Sequence, residues 1–257
     1  MRRTIAATDW LRVLRADAAA RHQLVCMPPG GGSVTAYRTL AAKLGPGIAV
    51  AAVQYPGRQD RLGEPLISDM ETLTSRIAEE ILRQGPVERL ALFGHSMGAT
   101  VAFETARLLE RAGQPVTTLF VSGRPAPTYL EPGRLHLASD DELIGDLERL
   151  ATDPASVRIL RDDPGLAELV LPAVRSDYQA VETYVYCADG PLAGDIAALV
   201  STEDPTVVPA QADEWRDHTA GRFERAVFAG GHFYVDEKVA EVADLITASL
   251  ARHHPVA

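Results

Sequence analysis

A five-residue stretch, Gly94-His95-Ser96-Met97-Gly98, constrains this chain more than any other because of what flanks it. An apolar run, Leu90 to Phe93, leads in, and a helix-like segment, Ala99 to Arg111, leads out. A serine between a strand and a helix, with a glycine two positions away on each side, has the pattern of a nucleophile elbow. Its turn is strained, its hydroxyl stands above the sheet, and a side chain at either glycine would collide with the neighbouring strand and helix. Composition alone produces such a pattern in roughly one chain of this kind in twenty, so the context must carry the reading.

That context is an alternation of short apolar runs with helix-like stretches. From Gln23 it reads Leu24 to Met27, Thr35 to Leu44, Ile48 to Gln54, Ser68 to Arg83, Leu90 to Phe93, Ala99 to Arg111 and Thr118 to Val121. It resumes with Ile196 to Val200, a helix near Ala210 to His218, a strand near Phe223 to Phe228 and a terminal helix from about Asp236 to Arg252. The alternation predicts an α/β fold, a mostly parallel sheet with helices on both faces.

Between the two halves, from about Pro125 to Tyr186, helical periodicity prevails and no strand is evident. Ser139-Asp140-Asp141-Glu142 has capping-box spacing, Leu143, Leu147 and Leu150 form an apolar stripe behind it, and a further helix is expected to begin near Pro164. The expectation is one domain over residues 1–257 with a helical lid inserted at about 125–186. Insertions over the carboxyl ends of strands are where such folds grip ligands.

A net charge of −10 argues against nucleic-acid binding, which needs clustered Lys and Arg. No segment approaches the roughly 18 apolar residues of a membrane span, and the first ten residues lack a signal-peptide apolar run. A cytoplasmic protein that engages no membrane is expected. Cys26 and Cys187 are far apart, each in an apolar neighbourhood, so buried free thiols are expected rather than a disulfide, a metal site or a cysteine nucleophile.

Acyl transfer at a serine requires a base, an acid that orients it, and N–H donors for the oxyanion. In the chain order Ser, acid, His, the loop Ser201-Thr202-Glu203-Asp204-Pro205 follows the late strand and offers Asp204 as the acid, with Glu203 as runner-up. Asp189 and Asp195 precede that strand and belong at its wrong end. Gly230-Gly231-His232-Phe233-Tyr234 follows the last strand, so His232 is the candidate base. Among the other histidines, His95 precedes the serine and should point elsewhere, His253 and His254 sit in the tail, and His22, His136 and His218 lack such a loop. One oxyanion donor is the backbone N–H of Met97, directly after the nucleophile at a helix N-terminus. The second comes from Met27-Pro28-Pro29-Gly30-Gly31-Gly32; the prolines have no N–H, leaving Gly30 first and Gly31 as the alternative. The glycine-rich loop fits neither common phosphate-binding pattern.

Taken together, these blocks resemble the type II thioesterases that accompany polyketide synthases and nonribosomal peptide synthetases. Residues 27–33 are similar to the family's F-P-H-A-G-G-S, Tyr55-Pro56-Gly57-Arg58 to its Y-P-G-R, and Gly94 to Gly98 to its G-H-S-M-G. Val121 to Pro127, Leu171 to Tyr178 and Gly231 to Tyr234 are similar to later blocks. Pro29 and Gly30 stand where the family usually has histidine and alanine.

The resemblance implies an α/β-hydrolase fold with a helical lid and a Ser96, Asp204, His232 triad. It also implies hydrolysis of acyl thioesters on the phosphopantetheine arm of an acyl or peptidyl carrier protein, freeing assembly lines blocked by unproductive acyl groups. No separate cofactor is implied, since the pantetheine belongs to the partner, and the protein is expected to be a monomer. The carrier partner is usually acidic, as this chain is, so docking would need local arginines; Arg124, Arg134, Arg158 and Arg161 are candidates near the lid. The same triad would serve a product-releasing thioesterase or acyltransferase or a general serine esterase, whereas a non-catalytic scaffold would be expected to lack one member.

Overall fold

The computed structural model describes residues 4–252, so residues 1–3 and the tail histidines His253 and His254 lie outside the described residues. Among the described residues seven strands form one sheet: β1 (Leu11–Arg15), β2 (His22–Met27), β3 (Ile48–Val53), β4 (Leu90–His95), β5 (Val116–Ser122), β6 (Asp195–Ser201) and β7 (Phe223–Phe228). Their order is β1-β3-β2-β4-β5-β6-β7. From β2 onward all pairings are parallel. The mostly parallel α/β architecture is the expected one.

The pleat explains why the inner strands read as continuous apolar runs. Along β2, Leu24 and Cys26 face one core layer while Val25 and Met27 face the other, because successive side chains point to opposite faces and both faces are covered. Helices α1 (Arg38–Lys43), α2 (Met70–Arg83) and α3 (Met97–Arg111) interleave with the first strands. Leu73 and Ile77 of α2 and Val101 and Phe103 of α3 pack one layer, and Leu40 of α1 packs the other.

Three helices lie between β5 and β6: α4 (Asp140–Leu150), α5 (Pro154–Asp162) and α6 (Pro164–Glu182). The Ser139 hydroxyl accepts from the Glu142 N–H while the Glu142 carboxylate accepts from the Ser139 N–H, the capping box its spacing predicts. Leu143, Ile144, Leu160, Leu171 and Val174 give these helices an apolar cluster of their own. The expectation of a helix at Pro164 matches α6, and α5 is the third helix of the segment, marked locally by Asp153, which caps the Ala155 N–H, and by Pro154 in its first turn.

Other departures are local. β1 lies before the point where the expected alternation begins; it is a half-exposed edge strand, antiparallel to β3 with Leu11 opposite Val53, and its arginines mask the alternation. The helix expected near 210–218 is a single turn, α7 (Pro209–Ala212), followed by a 3₁₀ stretch to His218. The terminal helix is broken at Lys238 into α8 (Tyr234–Glu237) and α9 (Val239–Ala251), the latter packing Val242 and Ile246 against the α1 side of the sheet. Cys26 is buried as expected, but Cys187 is exposed, because the segment after α6 runs over the surface. Among the described residues no helix is long and apolar enough to cross a membrane.

Candidate active site

Strand β4 ends at His95 and α3 begins at Met97, so Ser96 alone makes the turn, at φ 55° and ψ −124°. A positive φ is strained for any residue with a Cβ. The Ser96 N–H donates to the Ser122 carbonyl at 2.8 Å, which helps hold it there. A Cβ on Gly94 would lie 1.9 Å from the Gly98 carbonyl oxygen, and one on Gly98 would lie 2.1 Å from that of Met27. The two glycines therefore permit a close approach of strand to helix and of helix to the end of β2.

The candidate acid and base arrive on neighbouring loops. After β6 the Thr202 N–H donates to the Phe228 carbonyl and the Glu203 N–H to that of Gly230, while the Ser201 hydroxyl donates to that of Gly231. These bonds fix the β6 and β7 loops to each other. As a result Asp204 sets its Oδ1 and Oδ2 at 3.0 and 2.9 Å from His232 Nδ1, with both side chains sealed from solvent. Glu203 is exposed. Burial pushes the Asp204 carboxyl up, but hydrogen bonds from His232 and Thr206 outweigh it and hold the group below the ordinary carboxylate range. His232 Nε2 is buried and has no hydrogen-bond partner among the described residues.

Ser96 and His232 line a common cavity of about 140 Å³ beneath α4 and α6. Its walls include Leu147, Tyr178, Val181 and Phe233, and the Tyr178 hydroxyl donates to Asp146 at 2.6 Å, joining α6 to α4. Gly30 and Met97 also reach the cavity. Of the two candidate loop amides, that of Gly31 is committed to the Asp177 carboxylate at 2.7 Å. A hydroxyl at a strained turn, an imidazole oriented by a carboxylate, and backbone amides at a helix start are the parts from which acyl transfer is built.

Residues 22–250 match the family model of the thioesterase domain. The chain is 41% identical over 244 residues to the thioesterase PikA5 of Streptomyces venezuelae, covering 94% of this chain and 85% of that protein. It superposes on the type II thioesterase BorB from the borrelidin biosynthetic cluster with a TM-score of 0.85 at 41% identity, covering 96% of this chain and 99% of that one. The chain belongs to the type II thioesterases. A further solved structure, the RedJ thioesterase from the prodiginine pathway of Streptomyces coelicolor, is similar at a TM-score of 0.80 and 35% identity, over 88% of this chain and 86% of that one.

The thioesterase is thus a serine-hydrolase-type enzyme acting on thioesters, and its structure adds residues that sequence reasoning missed. Thr206 donates both its N–H, at 2.8 Å, and its hydroxyl, at 2.7 Å, to Asp204 Oδ1. His95 avoids the cavity as expected, yet its ring centroid lies 4.8 Å from that of His232. Its Nδ1 is hydrogen-bonded to the Ser122 hydroxyl, which in turn meets the Tyr234 hydroxyl. Burial, reinforced by the nearby His232, keeps the His95 imidazole neutral well below its ordinary range.

The candidate arginines on and near α4 to α6 differ in what they do. Arg161 bonds Glu148 and Asp141 and so ties α5 to α4. Arg124 is paired with Glu131 at 2.9 Å. Arg134 is exposed, and Arg158 is exposed beside Glu148, 3.7 Å away.

Proposed function

We propose that the protein hydrolyses acyl thioesters carried on the phosphopantetheine arm of acyl or peptidyl carrier proteins, clearing unproductive acyl groups from a polyketide or nonribosomal peptide assembly line. The observation that carries the reading is the buried Asp204–His232 pair, whose Nε2 has no hydrogen-bond partner among the described residues and whose histidine lines the same cavity as Ser96. The biosynthetic clusters named for BorB and RedJ support the choice of substrate class.

In this reading the Ser96 hydroxyl attacks the thioester carbonyl and His232 Nε2 takes its proton. Asp204 holds the Nδ1–H tautomer and stabilises the imidazolium. The tetrahedral oxyanion accepts from the amides of Met97 and Gly30, the former at the positive end of α3. Collapse breaks the C–S bond, and His232 returns the proton to the pantetheine thiolate. Water then attacks the acyl-enzyme by the same route and releases the carboxylic acid and free Ser96. The chain supplies the whole cycle from its own side chains and backbone, so the proposal includes no resident cofactor; the pantetheine enters and leaves with its carrier protein.

The test presents one acyl group in three forms: on a carrier protein, on free pantetheine and as an oxygen ester. The proposal expects the highest kcat/KM on the carrier protein, with free acid as product. A preference for the oxygen ester, or transfer of the acyl group to an added alcohol or amine in place of water, would overturn it.

A further inference from the structure

Arg58 follows β3 and Asp177 lies on the lid helix α6, 119 positions away, yet they form a two-pronged pair at 2.7 and 2.8 Å. Their side chains are 9% and 3% exposed. Neither takes part in the chemistry above. Both hold the glycine loop instead: Asp177 Oδ2 also accepts from the Gly31 N–H at 2.7 Å, and Arg58 Nη1 also donates to the Gly32 carbonyl at 3.0 Å. Val174, one turn earlier on α6, stands 3.0 Å from where a Gly31 Cβ would be.

Three successive glycines have more backbone freedom than any other tripeptide, so this loop cannot by itself fix where the Gly30 amide points. The Gly31 N–H and the Gly30 carbonyl share one planar peptide unit. Anchoring that N–H on a buried carboxylate orients the plane, and with it the backbone of Gly30, which lines the cavity. The bidentate guanidinium in turn fixes the carboxylate.

We propose that Asp177, held by Arg58, is a positioning residue for the oxyanion hole, so that the hole is complete only while helix α6 is seated. The proposal rests on the reading of Gly30 and Met97 as oxyanion donors. It makes α6 a fixed wall of the cavity and part of the catalytic framework, with α4 joined to it through the Tyr178–Asp146 hydrogen bond.

The test compares wild type with Asp177→Asn on an acyl-pantetheine. Two inhibitors accompany it: a trifluoromethyl ketone, whose adduct with Ser96 places an oxyanion in the hole, and a thioether analogue that binds without forming one. Losing one oxyanion donor costs about 10² to 10³ in kcat. Asp177→Asn is expected to lose kcat on that scale with KM within about threefold, and to weaken the ketone in parallel while the thioether binds as before. A merely structural role would weaken both inhibitors alike or lower activity only in proportion to unfolded protein; that result, or unchanged kcat and ketone affinity in folded Asp177→Asn, overturns the proposal. Should Asp177→Asn fail to fold, Arg58→Lys, which keeps the charge but loses the planar fork, carries the same test with a loss of about tenfold expected. Wild-type labelling by a fluorophosphonate separates the two levels: no label at Ser96 refutes the proposed function, whereas a labelled wild type with an unaffected variant refutes only the role of Asp177.

Discussion

Asp204 offers both carboxylate oxygens to His232 Nδ1 from a position with no solvent access, while Thr206 donates twice to its Oδ1. Every contact favours the ionised carboxylate and the Nδ1–H tautomer of the imidazole, which leaves Nε2 as the basic nitrogen. Asp204→Asn should therefore lower kcat by up to about 10⁴, the scale set by a mistaken tautomer in serine proteases. Thr206→Val should cost about tenfold, because it removes one of several donors to the acid. Glu203→Gln, on an exposed side chain, should stay within about twofold. Steady-state kinetics of the three variants decide the ranking, and a larger loss at position 203 than at 204 would reassign the acid.

His95 yields a pH prediction. Its folded pKa lies well below the ordinary 6.5 because the ring is buried beside His232. Below that ordinary value the unfolded chain gains a proton that the folded chain refuses, so this contribution to stability is complete above about pH 6.5 and is lost as pH falls. His95→Gln should flatten the decline by up to about 1.4 kcal/mol per pH unit between pH 6.5 and 5.5. Urea unfolding at several pH values reads the slope directly. His218, whose pKa burial also lowers, would remain as a residual slope; an unchanged slope in the variant would mean that His95 is protonated in the fold.

Much of the candidate site is legible in the sequence because each candidate residue sits after the carboxyl end of a strand, where motif and chain order coincide. Ser96, Asp204 and His232 need only the strand boundaries around them to be placed. Arg58 and Asp177 each fell in a block that resembled the family, but nothing local joins residues 119 apart; only the packing of α6 against the glycine loop pairs them. β1 stayed hidden because an edge strand need bury only one face, and Leu-Arg-Val-Leu-Arg offers just one fully buried side chain, Leu11. The exposure of Cys187 escaped notice for the complementary reason: apolar neighbours such as Val185 stand on the surface there.

The elbow glycines differ sharply from a glycine in open space. Gly98→Ala would drive a Cβ into the Met27 carbonyl, with backbone on both sides and no flexible side chain to yield. It should destabilise the protein by about 1–3 kcal/mol and lower kcat, because relief requires β2 and its glycine loop to move away from Ser96. Gly63→Ala meets nothing within 4 Å among the described residues and should stay within about 0.5 kcal/mol. Denaturation midpoints and turnover of both variants measure the contrast.

Arg158 and Arg161 separate docking from the integrity of the α4–α5 pair. Arg161→Glu would add a third carboxylate beside Glu148 and Asp141, so it should lower turnover of carrier-bound and free thioesters together as α4 and α5 part. Arg158 is 65% exposed, and Arg158→Glu should spare a small free thioester while reducing kcat/KM on the carrier protein several-fold, as rim charges act on encounter. Equal effects of Arg158→Glu on both substrates would place the docking surface elsewhere.

Ser96 is where the account is most directly exposed. A short acyl-pantetheine mixed with enzyme and quenched within milliseconds, followed by peptide mass spectrometry, should show the acyl mass on Ser96 alone. Ser96→Ala, folded to the same melting temperature within a few degrees, should carry no acyl group and turn over at background rate. An acyl group on any other residue, or near-normal turnover by folded Ser96→Ala, would contradict it.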